Sequence, residues 1–275
     1  MILISKSFNR KFFKSCITRI KLMNLCILPM DFNTFRKWYE ELGKLKIFWA
    51  KPLSELKLVL REDKSCTIKI SWLVRKKVQN AVMLITTEPS KVFEKFRNKY
   101  RSSVKLAMVP EDFSSTLFHL IDARSILYFW DVSSRILEGN SKVKIVKLFE
   151  WNESYLKNFR EIHKKSWGFF IPPRENDHIV ILAYLNSTPV GMAYLDKNNF
   201  NIDYGIHVVR EFWRNRIGTR ILEETLEVAK QMNASYVSVV RVLRSTRLLS
   251  TDRRALSFYK ANKPLLRLNI CRLKP

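Results

Sequence analysis

The segment Val208-Val209-Arg210-Glu211-Phe212-Trp213-Arg214-Asn215-Arg216-Ile217-Gly218-Thr219-Arg220-Ile221-Leu222 carries the most readable chemistry in this chain. An apolar strand pattern runs into a basic turn that contains one glycine, and an amphipathic helix pattern opens behind it. The first turn of a helix presents backbone N–H groups without partners inside the helix, at the positive end of its dipole. With Arg214, Arg216 and Arg220 around it, such a turn suits a diphosphate. The alternative is an ordinary strand-to-helix connection with solvated arginines. Just upstream, Asp203 and His207 fall on one face of an expected strand over 202–209, opposite Ile202, Ile206 and Val208, because strand side chains alternate with a period of two. A carboxylate partly desolvated in a cleft acquires the raised pKa of a general base, and an imidazole needs little shift for that task. Each is alternatively a hydrogen-bonded surface residue.

Other reactive residue types form no such constellation. His119, His163 and His178 stand apart with no HExxH or other ligand spacing, and are read as structural or exposed. Cys16, Cys26, Cys66 and Cys271 are scattered without a CxxC pair, so no metal and no disulfide framework is expected and the thiols are read as reduced. Trp151, Trp167, Phe169 and Phe170 are expected in the core or lining a substrate cleft, and Arg75-Lys76-Lys77 as a solvated turn.

The segment through Gly218 resembles the acyl-CoA pyrophosphate loop of the GNAT acetyltransferases, a Gln/Arg-x-x-Gly-x-Gly/Ala pattern. Aligned without a gap, the second glycine falls on Gly218, the first on Arg216 and the leading Gln/Arg on Trp213. Two of the three signature positions are therefore changed, while Val208 and Glu211 before them and Ile221-Leu222 after them are kept. Downstream, Asp252-Arg253-Arg254-Ala255-Leu256-Ser257-Phe258-Tyr259 resembles the family's Asn-x-x-Ala-x-x-Phe-Tyr helix, with Asp252 in the Asn position. Upstream, Pro189-Val190-Gly191-Met192-Ala193 resembles the family's third strand.

The resemblance implies N-acyl transfer from acetyl-CoA, as co-substrate, to an amine by direct attack. Backbone N–H groups around Ile206 to Val208 would polarise the thioester carbonyl. Arg214, Asn215, Arg216, Ile217, Gly218 and Thr219 would hold the phosphates, and Tyr259 would protonate the leaving thiolate. Asp203 ranks first as base, because family members that use one on this strand place a carboxylate near that point. The other reading is a catalytically inactive GNAT-like protein whose basic surface holds nucleic acid or an acidic protein. A lysine, a protein N-terminus, a polyamine or an antibiotic amine would each fit as acceptor.

Positioning these residues requires a substantial fold. The 275 residues are 47% hydrophobic and 27% charged, enough for one large or two modest cores and too apolar for a disordered protein. A formal charge of +25 attracts something anionic without naming it. No apolar run approaches the ~20 residues that span a bilayer, so a cytoplasmic protein without a membrane role is expected.

Strands over 56–60, 66–72, 81–85, 104–109 and 126–130 interleave with helices at 91–100 and from Pro110-Glu111-Asp112. After a polar linker at 138–141 come strands over 144–148, 179–184, 190–195, 202–209, 236–243 and 266–273, with helices over 154–165, 217–232 and 252–261. The expected class is α/β: a GNAT-like mixed, mostly antiparallel sheet flanked by helices, with two such domains in tandem suggested by the repeated order of elements. The division is a basic extension over 1–22, read as either poorly structured or the product of a start upstream of Met23, an N-terminal α/β domain over 23–140 read as a degenerate GNAT-like unit, and the acyltransferase domain over 143–275. A short strand at 26–28 and a helix over 35–42 would open the N-terminal domain.

Overall fold

The structure, a computed structural model, describes residues 57–62, 65–74, 77–86, 88–100, 104–110, 115–133, 137–243 and 250–274. The basic extension, the strand and helix expected within 26–42, the turn at Arg75-Lys76 and the helix opening at Glu111-Asp112 lie outside the described residues. The first half contributes β1 (Lys57–Glu62), β2 (Ser65–Val74), β3 (Lys77–Thr86), α1 (Pro89–Lys99), β4 (Val104–Pro110) and β5 (Ile121–Asp131). The second half contributes β6 (Lys144–Leu148), α2 (Glu153–Trp167), β7 (His178–Leu185), β8 (Thr188–Asp196) and β9 (Ile202–Val208). It continues through α3 (Ile217–Gln231), β10 (Tyr236–Val242), α4 (Ser250–Ala261) and β11 (Leu266–Leu273). The fold is mixed α/β, with largely antiparallel sheets flanked by helices, as the sequence pattern predicts.

Hydrophobic pattern and local chemistry explain the elements that matter here. β7 reads His-Ile-Val-Ile-Leu-Ala-Tyr-Leu, nearly continuous apolar, because both of its faces are covered. Ile179, Ile181 and Ala183 pack with Ile217, Ile221 and Leu222 of α3, whereas Val180 and Leu182 pack with Phe159 and Ile162 of α2. Each such fully buried aliphatic side chain contributes roughly 1.5–3 kcal/mol. Helix α2 begins where the Asn152 side chain accepts the Tyr155 N–H, and it ends at Gly168 in the left-handed region (φ 96°). The hairpin joining β7 to β8 turns at Asn186 (φ 48°) and Ser187 (φ 65°), the two positive φ values that match the twist of paired strands.

Two sheets result. One has the order β6-β7-β8-β9 and the other β1-β2-β3-β4-β11-β5-β10. The last strand of each half therefore pairs with the penultimate strand of the other: β11 lies antiparallel to β4, and β5 lies antiparallel to β10. The two exchanged strands also pair with each other. Cys271, inside β11, is a free buried thiol whose pKa burial pushes up to about 12. No helix among the described residues is long and apolar enough to cross a membrane.

The two sheets meet at β9 and β10. A single parallel bridge joins Asn201 to Ser238, reinforced by a hydrogen bond from Ser238 Oγ to Asn201 Oδ1 (3.0 Å). Past that point β9 stays with β8, β10 stays with β5, and a wedge separates them. β9 is also irregular. Ala193 pairs with Ile206 and its neighbour Tyr194 with Asp203, so Tyr204 and Gly205 bulge out of the ladder with φ values of 63° and 87°.

Gly205 holds this bulge. An added Cβ would lie 2.8 Å from the Tyr259 hydroxyl, and φ of 87° is unfavourable for any L side chain. Gly205→Ala should therefore lower stability by about 1–3 kcal/mol, measured by denaturant unfolding. An unchanged midpoint would show that the bulge relaxes freely.

Candidate active site

The turn between β9 and α3 leaves a run of backbone donors open. Arg214 (φ 65°) and Arg216 (φ 52°) both adopt left-handed backbone, and Arg216 is the N-cap of α3 without any side-chain cap. No acidic residue stands in the first turn. The N–H groups of Phe212, Trp213 and Arg220 bond to the carbonyls of Val209, Arg210 and Arg216. Those of residues 214–219 have no acceptor among the described residues. Helix α2 by comparison opens with the Asn152 side chain accepting the Tyr155 N–H and with Glu153 in its first turn, while α1, like α3, has no side-chain cap. A concave turn of consecutive amides with alternating backbone handedness is an anion-binding shape.

The left-handed φ at Arg216 also gives the physical reason for a glycine at that position in the family pattern. The demand is made by the backbone conformation, and a non-glycine residue meets it at a cost of about 1 kcal/mol or more. Gly218 serves a different purpose. It sits in ordinary helix, and a Cβ there would meet Phe258 Cε2 at 2.9 Å, so the glycine lets α4 approach α3.

The three arginines divide. Arg220 turns back along α3 to Glu223 and Glu224 (3.1 and 2.7 Å). Arg216 reaches Glu138 in the linker (3.2 Å). Arg214 is exposed with no carboxylate partner among the described residues. Trp213 lies across the end of β9, its indole N–H donating to the Val208 carbonyl (2.8 Å). The Arg254 guanidinium stacks over that ring at 4.8 Å, so α4 brings one further cation to the mouth of the turn.

At the wedge, Val209 N–H bonds to Val190 on β8. By strand alternation, Val208 and Ile206 therefore aim their N–H groups away from β8, into the opening. Ile206 N–H donates to Tyr259 Oη at 3.4 Å. The Tyr259 O–H hydrogen has no acceptor among the described residues. Tyr259 is buried against Tyr128, Trp130 and Phe258, and this burial raises its pKa, opposed by the Ile206 bond and by Arg241. The phenol is thus a neutral acid at physiological pH. Asp252, fully buried in the first turn of α4, accepts from Arg241 of β10 (2.9 Å) and ties Tyr259's helix to the far side of the wedge.

Asp203 and His207 do share a face, with Met192 and Tyr194 opposite them, but both are committed. Asp203 Oδ2 accepts from Arg174 Nη2 (3.0 Å) and His178 Nε2 (3.1 Å), and Oδ1 accepts from Asn201 Nδ2 (2.8 Å). His178 Nδ1 accepts the Arg174 backbone N–H (2.9 Å), and its Nε2 lies 3.1 Å from both Asp203 Oδ2 and Arg174 Nη2. Arg174 also bonds Asp196 (3.1 Å) and Asp177 (3.0 Å), so a single guanidinium is shared among three carboxylates beside the cluster of His178, Asp196 and Asp203. His207 is buried, with Nδ1 3.2 Å from Ser166 Oγ and Nε2 3.2 Å from the Tyr204 carbonyl. Burial, the neighbouring His163 and Arg241 lower its pKa to about 3. Asp203 and His207 thus lie on either side of the Tyr204-Gly205 bulge, each held by hydrogen bonds to its neighbours.

Sequence reasoning missed the Arg174 network and the Trp213–Arg254 stack, which join residues distant along the chain. Trp167 packs against Phe169 (4.0 Å) and His207 (5.0 Å), while Phe170 and Trp151 lie on the cluster of Phe159 and Tyr194. His163 is fully buried.

Residues 145–261 match the family described as acetyltransferase (GNAT). None of the curated proteins compared matches this sequence. Among solved structures, a GCN5-related N-acetyltransferase from Sphaerobacter thermophilus is similar at 13% identity and TM-score 0.40, covering 77% of this chain and 76% of that one. An aminoglycoside acetyltransferase from an uncultured soil metagenomic sample, in complex with trehalose, is 22% identical with TM-score 0.35, covering 46% of this chain and 91% of its own. A Drosophila protein is 10% identical with TM-score 0.42, and each chain is covered over 94%.

His163 and His207 make the fold sensitive to acid. Burial lowers His163 to about 4 and His207 to about 3, from 6.5 in each case. Below pH 6.5 the unfolded chain takes up protons that the folded chain refuses, so their stabilisation is complete above pH 6.5 and is lost as pH falls toward those values. Urea unfolding at pH 7.5, 6 and 5 should show a loss approaching ~1.4 kcal/mol per pH unit for each histidine. His163→Phe should flatten that slope; an identical slope would remove His163 from the effect.

Proposed function

Taking residues 145–261 as a domain of the acetyltransferase (GNAT) family, we propose that this protein is an N-acyltransferase that moves acetyl from acetyl-CoA to an amine. The observation that carries the reading is the uncapped turn before α3, where the amides of residues 214–219 are open at a helix N-terminus. Those donors, from Arg214, Asn215, Arg216, Ile217, Gly218 and Thr219, would hold the diphosphate, with Arg214 and Arg254 adding charge. The pantetheine arm would enter the wedge between β9 and β10, where Trp213 must release the Val208 carbonyl.

In the transfer itself, the N–H groups of Val208 and Ile206 face the opening and would stabilise the oxyanion as the amine nitrogen bonds to the acetyl carbon. Tyr259, neutral and with its hydrogen uncommitted, would pass that hydrogen to sulfur as the carbon–sulfur bond breaks. With Asp203 and His207 engaged in the bulge, the proton of the attacking amine would leave to solvent at the mouth. We read the chain as a 23–140 unit followed by a 143–275 unit, the first completing the second's sheet through β5.

Two measurements test this. Isothermal titration with acetyl-CoA should give a dissociation constant in the micromolar range; no heat at millimolar ligand, with salt-sensitive retention on immobilised DNA, would transfer the protein to nucleic-acid binding. Tyr259→Phe should cut turnover by roughly 100-fold with little change in acetyl-CoA affinity. Unaltered turnover would take Tyr259 out of the chemistry.

A further inference from the structure

The linker between the two halves is laced to the anion turn. Gly139 N–H donates to Glu223 Oε1 (3.3 Å). A Cβ on Gly139 would come within 2.6 Å of the Arg220 Cα, so the linker lies directly on α3. The next residue makes the contacts that matter. Asn140 Nδ2 donates to the Asn215 carbonyl (2.9 Å), and Asn140 N–H donates to the Arg216 carbonyl (3.4 Å).

A trans peptide is planar, so the C=O of one residue and the N–H of the next point in opposite directions. Fixing the Asn215 carbonyl toward Asn140 therefore aims the Arg216 N–H away from the linker, and fixing the Arg216 carbonyl does the same for the Ile217 N–H. Both amides belong to the open run of donors. The conformation needs such a restraint, because two left-handed non-glycine residues, Arg214 and Arg216, persist only when their surroundings over-determine them.

Asn140 is itself held rigidly. Its Oδ1 accepts the Lys142 N–H (3.0 Å) and its carbonyl accepts the Val143 N–H (3.1 Å). Only one orientation of the side-chain amide serves both neighbours: oxygen toward the Lys142 donor and nitrogen toward the Asn215 acceptor.

We propose that Asn140 is a positioning residue for the diphosphate-binding amides, making the linker a working part of the co-substrate site. The identity of the diphosphate carrier rests on the transferase reading; the aim of the amides does not, and inorganic pyrophosphate probes it alone. In the full chain, labelled with nitrogen-15, pyrophosphate should shift the Arg216 and Ile217 amide resonances. Asn140→Asp keeps the oxygen for Lys142 and deletes the donor to Asn215, while Asn140→Ala removes the donor without adding charge. Each should weaken pyrophosphate and acetyl-CoA binding about tenfold, the ~1.4 kcal/mol of one hydrogen bond.

S-acetylpantetheine, which lacks the diphosphate, should shift the Val208 amide equally in wild type and variants, a result that a general loss of structure would not give. Unmoved Arg216 and Ile217 amides in the wild type, or undiminished pyrophosphate affinity in both variants, would overturn the proposal. Pyrophosphate binding that depends on Asn140, in a protein that ignores acetyl-CoA, would support it while sinking the transferase reading.

Discussion

Asn201, just ahead of β9, makes a parallel bridge to Ser238 of β10, and beyond it the two strands belong to different sheets. Backbone groups on facing strand edges normally satisfy each other, and an unpaired edge inside a protein is costly unless something else occupies it. Here a tyrosine from α4 reaches one edge amide and a tryptophan from the turn reaches one edge carbonyl. The facing edge of β9 is thus partly satisfied by side chains from α4 and from the turn in place of β10.

The exchanged strands maintain that separation. β10 is fixed by β5 from the first half, and β11 is fixed between β4 and β5, so β10 cannot move toward β9 without disturbing the larger sheet. On the opposite side, the bulge at Tyr204 and Gly205 is braced by the partners of Asp203 and His207. Tyr204 is a bulky residue at φ of 63°, an uncommon conformation that survives because the surrounding hydrogen bonds hold it. Asp203 and His207 each commit hydrogen bonds to this part of the structure.

The elements themselves were legible in sequence. β6 and β11 fall on the expected residues, and α3 starts at Ile217 as its apolar periodicity requires. Asn-Ser-Thr-Pro marks a hairpin, and the basic turn before α3 is visible as a break between two hydrophobic periods. Tyr259 could be singled out only through its place behind Ala255 and Phe258 in a resembling helix. The expectation of a base on β9 was less secure, since alternation assigns Asp203 and His207 to a face without saying what else lies there. Arg174 and His178 reach Asp203 from more than twenty residues away, and Ser166 reaches His207 from the end of α2.

Sequence alone determined the class of fold, the strand-turn-helix with its basic turn, and the order of strands and helices along the chain, because these follow from local periodicity, turn chemistry and side-chain type. Tertiary structure decided the rest. It exchanged β5 and β11 between halves, parted β9 from β10, drew Asn140 onto the turn and engaged Asp203 and His207. The physical reason is that strand partners and hydrogen-bond partners are chosen by contacts between distant segments, whose free energies depend on burial and geometry that no window of sequence contains.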